Sequence, residues 1–416
     1  MENPVIYARR QIRQIKDGGS AILMAKMLDL ASLLMFAFIP MQAVMTVALI
    51  RLIRPVVLIR LGRVPSPRIG HFAGNIELYL CEKDIGLGDR KAFDIFFYAN
   101  GRICNYQLDR MWRRNIRIWR LAKPLYLINK WIPGGERHVV KLPTDRDIHN
   151  ILYITKPHLS FTKAEEMRAL KGLAKLGIPE GAEFACFHAR DSAYLNSMNP
   201  SLDWGYHRFR DSDINNYLPA VSRLTERGYY AVRMGAMVTK RIETKNPRII
   251  DYAAVKRTGF MDIYLASRCR FFITSGTGID AVAVAFRRPI ACVNYLPLNF
   301  ICSWRIDGIF ITKKLWSRKE KRFMTFAEMA GPVLGGLCDI KEYDRLGIDI
   351  VENTPEEITE LVIEMDERIK GRWKTTEEDE ALQRRLGSLF THGRLHGRVM
   401  THMGTKFLRN NRELLR

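Results

Sequence analysis

The sequence is short of acid. Its 66 Lys and Arg face 44 Asp and Glu, which leaves a net charge of +22 over 416 residues. Such an excess asks for an anionic partner: nucleic acid, an anionic membrane surface or a polyanionic substrate. No helix-turn-helix, zinc or RNA-stacking signature supports the nucleic-acid option. Paired cysteines are missing too. The seven Cys are odd in number, form no C-x-x-C, and several (Cys186, Cys292) sit inside apolar runs. That excludes a disulfide framework and a zinc site, and fits reduced thiols in a cytoplasmic protein. No low-complexity tract and no repeat at solenoid or propeller spacing is present, so 416 residues read as two domains. Neither a P-loop nor a G-x-G-x-x-G fingerprint occurs.

Charge is also absent from Leu30 to Ile50, 21 residues long enough to span a bilayer and interrupted by Pro40. Five basic residues precede the run and five follow it closely, so the positive-inside bias picks no orientation. The tie suits a segment that dips in and returns, or lies in the interface, with both flanks cytoplasmic. The other reading is a buried core helix. Basic residues concentrate around this run: residues 1–70 hold ten against three acids, and 102–146 hold eleven against three. A third cluster is Lys313, Lys314, Arg318, Lys319, Lys321 and Arg322. The arrangement favours an anionic inner-membrane surface as partner.

Strand and helix patterns alternate after Pro55, which predicts parallel sheets covered by helices. The strands expected first are 55–61, 93–99 and 116–120, with helices at 74–81 and 104–113 between them. Thr162 with Glu165 forms a capping box for a helix that ends at Gly177. A second alternating series runs from Phe184 to Val351, and Thr354-Pro355-Glu356-Glu357 starts a further helix. The expected division is a membrane-associated segment 1–54, a domain 55–155, a linker helix 156–180, a domain 181–365 and a basic helical tail 366–416.

Chemistry gathers at strand ends. Glu183 to Leu195 begins as a buried apolar run and stops in His188, Arg190, Asp191 and Ser192. Polar groups at the carboxyl end of a buried strand sit where open α/β sheets bind ligands, and an Arg fork suits phosphate. The alternative is a strand end whose Arg and Asp pair with each other. Ser275-Gly276-Thr277-Gly278 joins a strand to a helix, with hydroxyls and free amides placed for an anion. A plain turn with a hydroxyl cap explains it equally. Asp280 either holds a ribose hydroxyl or favours the helix start. Arg233 ends another strand as a phosphate ligand or a solvated cation. His71, after Gly70, suits acid–base work, and Glu77 is the second carboxylate of interest. Asp203 to Asp213 lines a sugar or base pocket, or is a surface loop. His392, His396 and His402 lack carboxylate companions, so no metal site is expected.

Five segments together resemble one family: I-G-H-F-A-G-N-I-E-L-Y-L-C-E (69–82), F-H-A-R-D-S-A-Y-L (187–195), R-D-S-D-I-N-N-Y-L-P-A (210–220), F-M-D-I-Y-L-A-S (260–267) and S-G-T-G-I-D-A-V (275–282). These resemble bacterial glycosyltransferases associated with surface-polysaccharide biosynthesis, over residues 55 to 365. The H-x-R of His188 and Arg190 is similar to the diphosphate motif of fucosyltransferase-type enzymes, and the S-G-T-G turn to the donor turn of heptosyltransferase-like enzymes. The resemblance implies an α/β, GT-B-like fold of two Rossmann-like domains facing a cleft, behind the N-terminal segment. It implies sugar transfer from a nucleotide-sugar to a glycan or lipid-linked acceptor, with no cofactor and no metal, at the cytoplasmic face of the inner membrane. His188, Arg190, Arg233, Ser275, Gly276, Thr277 and Gly278 would hold the donor diphosphate. His71 and Glu77 would be catalytic, and Asp191 would orient Arg190. The rival is a non-catalytic GT-B-like scaffold of a polysaccharide-assembly complex.

Overall fold

Gly18-Gly19 interrupts an otherwise strongly helical N-terminal stretch, and the chain turns there. Pro4–Leu52 is helical throughout except at Gly19, whose φ of 63° and ψ of −157° lie outside helical space. Lys26 Nζ therefore reaches the Gln14 carboxamide at 2.7 Å. A straight helix would hold those residues roughly 18 Å apart. The computed structural model describes residues 4–89, 91–99, 101–191, 203–255 and 257–416, with the side chains of 4–9 and 29–40 outside the described set. The side chains of the first half of the uncharged run, 30–40, and Ser192 to Leu195 of the strand-end motif thus lie outside the described set. Among those described, no helix is long and apolar enough to cross a membrane.

The chain forms two compact units, which cut across the division expected from the alternation. The first comprises 1–63, 91–98 and 116–141. Its four-stranded sheet has the order β3-β2-β1-β4, with β1 at Ile59–Val64, β2 at Phe93–Tyr98, β3 at Arg117–Ile118 and β4 at Val139–Val140. β1 pairs with β4, and β2 with β3, in parallel. Ala43, Val47 and Ile50, at the end of the N-terminal helix, pack with Leu61, Phe97, Ala122 and Leu125. Burial of each Val, Leu or Ile side chain stabilises by about 1.5–3 kcal/mol. The end of the uncharged run therefore serves this core.

The second unit comprises 64–90, 99–115 and 142–416. It takes helices Ile69–Ile85 and Tyr106–Trp112, which the alternation had grouped with the first sheet. Close glycine packing explains the first assignment: Gly70 and Gly278 meet backbone to backbone. The expected linker helix also belongs here, as Lys163–Lys175, capped by Thr162 and Glu165 as predicted. Seven strands form one sheet: β5 (Phe184–His188), β6 (Tyr230–Arg233), β7 (Ile249–Ile250), β8 (Phe272–Thr274), β9 (Ile290–Tyr295), β10 (Ile309–Thr312) and β14 (His402–Met403). Their order is β14-β10-β9-β8-β5-β6-β7, and every pairing is parallel. Near-continuous apolar strands such as β5 and β9 are what a sheet covered on both faces requires. A small antiparallel sheet, β12-β11-β13, is built from Lys314–Ser317 (β11), Arg322–Phe323 (β12) and Ile348–Val351 (β13). The basic tail is integral to this unit. Its β14 extends the large sheet, and Arg409 holds the buried Asp379 at 2.5 Å.

The strand order locates the ligand-binding edge. From β5 the chain winds outward through β6 to β7, then returns to the other side of β5 and winds through β8, β9 and β10. The reversal lies between β5 and β8. In open parallel sheets, ligands bind outside the carboxyl ends of the strands at that point.

Candidate anion-binding site

Both strand-end motifs meet at this switch point. His188 pairs in register with Thr274. The Arg190 backbone N–H donates to Ser275 Oγ at 3.0 Å, so the serine clips the two strand exits together. Gly276 follows with φ 76°, a backbone that only glycine adopts cheaply, and a Cβ there would lie 3.1 Å from the Tyr295 ring. Its carbonyl accepts from the Arg210 guanidinium. Much of the turn is satisfied internally. Gly276 N–H donates to Thr274 Oγ1, and Thr277 N–H to the Asp280 carboxylate, both at 3.1 Å. Burial raises the Asp280 pKa, and the carboxylate is held by the turn.

Arg210 belongs to a loop fastened over this edge. Two 3-10 turns, Gly205–Arg210 and Ile214–Tyr217, lead into helix Leu218–Glu226, which has Pro219 in its first turn. Ser212 Oγ meets Tyr217 Oη at 3.1 Å and accepts from the Asn294 carboxamide at 2.8 Å. Asn294 and Asn353 exchange backbone-to-side-chain hydrogen bonds, each 2.6 Å long. Lys313, only 2 % exposed, reaches the Asp211 carbonyl at 2.5 Å. Trp204, Tyr206 and His207 stack along the loop, with Tyr206 and His207 ring centres 4.0 Å apart.

The electrostatics show an excess of cations. Burial and the Arg210 charge push the Arg190 pKa down to about 10. Burial, then Arg190, Arg210 and Arg68, push His207 down to about 4. His188 falls to about 4 through burial, reinforced by Arg233 and Arg190 against an opposing pull from Asp191. Burial lowers Lys313 too. Like charges gathered at a partly buried edge disfavour one another, and a bound anion relieves them. Among the described residues, the Nδ1 atoms of His188 and His207 are buried and have no hydrogen-bond partner.

Not every expected ligand faces this cluster. The Arg233 guanidinium, 3 % exposed, donates to the Lys240 carbonyl at 2.7 Å and pairs with Asp251 at 3.3 Å. It braces the loop 240–251 and acts on His188 by its charge. Asp191 accepts from Thr239 N–H at 2.9 Å, and its charge acts on Arg190. His71 is brought close through its neighbour Gly70, which touches Gly278, and its Nδ1 lies 3.4 Å from the Asn75 carboxamide. Glu77 is fully buried, 2.8 Å from Arg287 and 3.2 Å from His158. Glu77, Cys81 and His158 could together offer three metal-ligand atoms within 4.8 Å of one another, yet Arg287 already places a positive charge there. Arg68, Arg210, His207 and Lys313 were not singled out as ligands from sequence. Two signals were available: the aromatic and basic stretch 203–213, and the basic run that begins at Lys313.

No protein-family profile and no curated protein matches the sequence. Solved structures do. The glycosyl transferase family 9 structure from Veillonella parvula DSM 2008 is 12 % identical, with 76 % of this chain and 97 % of that chain covered at a TM-score of 0.43. The ADP-heptose LPS heptosyltransferase II of E. coli is 15 % identical, covering 56 % and 84 %, at 0.29. The iron-containing dodecameric glycosyltransferase TibC of enterotoxigenic E. coli H10407 is 13 % identical, covering 57 % and 59 %, at 0.30. These overlaps are loose, and the functional reading stands on the site itself.

Proposed function

We propose that the protein is a glycosyltransferase of GT-B type. It moves a sugar from a nucleotide-sugar to a glycan or lipid-linked acceptor in bacterial surface-polysaccharide biosynthesis, at the cytoplasmic face of the inner membrane. One observation carries the reading: two guanidinium groups cluster at the carboxyl edge of β5 and β8, Arg190 donating to the His207 carbonyl at 3.4 Å and Arg210 to the Gly276 carbonyl. A nucleoside diphosphate supplies the charge that this cluster lacks. As the sugar's anomeric C–O bond breaks, its electron pair stays on the diphosphate oxygen. Preorganised guanidinium groups favour that growing negative charge over the ground state. The anomeric carbon gains cation-like character, and the acceptor oxygen bonds to it after giving up its proton. His71, beside the 275–278 turn, is the base in this scheme. The membrane assignment is supported by the uncharged run 30–50 and its basic flanks.

Thermal melting with ADP, UDP, GDP, TDP and CMP tests the reading. ADP is included because heptosyltransferase II is named for ADP-heptose. One nucleotide should raise Tm, and Arg190→Ala should abolish the rise while the fold persists. The exposed Arg318→Ala should leave it intact. Folded protein that responds to no nucleotide would overturn the enzyme reading in favour of the scaffold.

A further inference from the structure

The first unit carries an apolar face that its own fold leaves uncovered. The inner side of the helix ending at Leu52 is committed to the core through Ala43, Val47 and Ile50. Its outer side is apolar as well: Met41, Met45, Leu49 and Leu52 follow one another at helical spacing and are 54, 66, 56 and 77 % exposed. A water-facing helix would carry polar residues on that side. Helix Ala122–Trp131 packs beside it. Arg51 fixes the pair, donating to the Asn129 carboxamide at 2.9 Å and to the Ile132 carbonyl at 3.0 Å. This second helix buries Ala122, Leu125 and Asn129 and exposes Leu127 (48 %) and Trp131 (85 %) one turn apart.

Charge identifies what covers the face. Segments 41–58 and 117–135 contain no Asp or Glu. Arg54, Arg117, Arg120, Lys123 and Lys130 in them are exposed. A second copy of this chain docking through the same face would bring like charges together. An anionic bilayer neutralises them and takes up the apolar rows, with Trp at headgroup level and Lys stems buried beneath their charges.

We propose that the outer rows of helices 41–52 and 122–131 form an interfacial membrane-binding face. It lies in the plane of an anionic phospholipid surface, with Leu49, Leu52, Leu127 and Trp131 inserted. The inference rests on the membrane assignment above and gives it an in-plane form at these residues. Since Ala43, Val47 and Ile50 are packed within the unit, residues 41–52 cannot also cross a bilayer while it is folded.

Co-sedimentation of the full chain with vesicles tests this, using phosphatidylcholine alone and phosphatidylcholine with phosphatidylglycerol. The protein should pellet at least tenfold more efficiently with the anionic vesicles. Leu49→Gln combined with Trp131→Gln should reduce pelleting at least tenfold, and the exposed pair Lys123→Glu and Lys130→Glu several-fold. The nucleotide-induced Tm rise is read on every variant, so it reports folding and keeps failure here separate from failure of the enzyme reading. Four results would overturn the inference: no vesicle binding by the parent chain, equal binding to neutral vesicles, undiminished binding by the Leu49/Trp131 variant, or lipid-free dimers that this variant abolishes.

Discussion

Gly70 and Gly278 meet with no room for a side chain on either: a Cβ on Gly70 would lie 3.1 Å from Gly278 Cα, and one on Gly278 would lie 3.2 Å from Gly70 N. The contact joins the first turn of helix Ile69–Ile85 to the turn after β8, and so positions His71 beside the anion-binding edge. Both partners are backbone, so a side chain on either would require the helix and the turn to shift apart by a few tenths of an ångström. Gly70→Ala and Gly278→Ala should each destabilise by about 1–3 kcal/mol in urea titration, as overpacked positions do. The nucleotide-induced Tm rise should shrink in both. Wild-type stability in both variants would mean that the two segments separate freely.

Arg68 acts on His207 through charge, and its removal should be visible at a distance from any chemistry. With Arg68→Gln, the His207 pKa should climb from about 4 toward the ordinary histidine value, because one of three repelling guanidinium groups is gone. Histidine NMR titration reads this directly. Saturating nucleoside diphosphate should move His207 the same way in the parent protein. An unmoved resonance in both experiments would remove Arg68 and the diphosphate from this site.

Stability should peak near neutral pH, with a different histidine responsible for each limb. His188 and His207 have folded pKa values of about 4, below the usual 6.5. The unfolded chain therefore binds protons that the folded chain refuses, and stability present above pH 6.5 is lost as pH falls toward 4. His158 is the opposite case. Burial pulls it down, but hydrogen bonds and charge from Cys81 and Glu77 raise it to about 10. Its contribution is complete below pH 6.5 and disappears as pH rises through 10. Urea midpoints at pH 4.5, 7 and 9 should show both losses. His158→Gln should flatten the alkaline limb alone.

Arg287 and Glu77 form a buried pair whose disruption separates architecture from chemistry. Arg287→Met leaves the buried Glu77 carboxylate with only the Cys81 thiol and the charged His158 as partners, at a cost of about 1–3 kcal/mol. Glu77→Gln should lower stability as well. If Glu77 acts in catalysis, the glutamine variant loses sugar transfer far beyond its loss of folded protein. If its role is architectural, activity per folded molecule is kept. Chemical denaturation beside turnover on the same samples distinguishes them.

Parts of this molecule could be read before any coordinates. β9 and β13 fall within the expected alternating series from Phe184 to Val351. His188, Arg190 and the 275–278 turn were legible as strand ends. What stayed hidden depends on tertiary partners. β14 is two residues long and has no periodicity. β10 and β11 are separated only by Lys313, whose near-complete burial a basic run does not announce. Helix Ile69–Ile85 joins the second unit through glycines whose meaning appears only once Gly278 faces Gly70. Arg68 and Arg210 lie far apart in sequence, and no local pattern predicts that the charges of both act on His207.

The double use of the helix ending at Leu52 has a consequence for how the chain is made. Val47 leaves the ribosome well before Phe97 and Leu125, the partners that bury it. At ~5–20 residues per second the interval before Leu125 is roughly 4–16 s. For that time both sides of the helix are bare and sticky. A nearby lipid surface or a holding chaperone would shelter it until the sheet arrives, so a helix made before its partners waits longest to be secured.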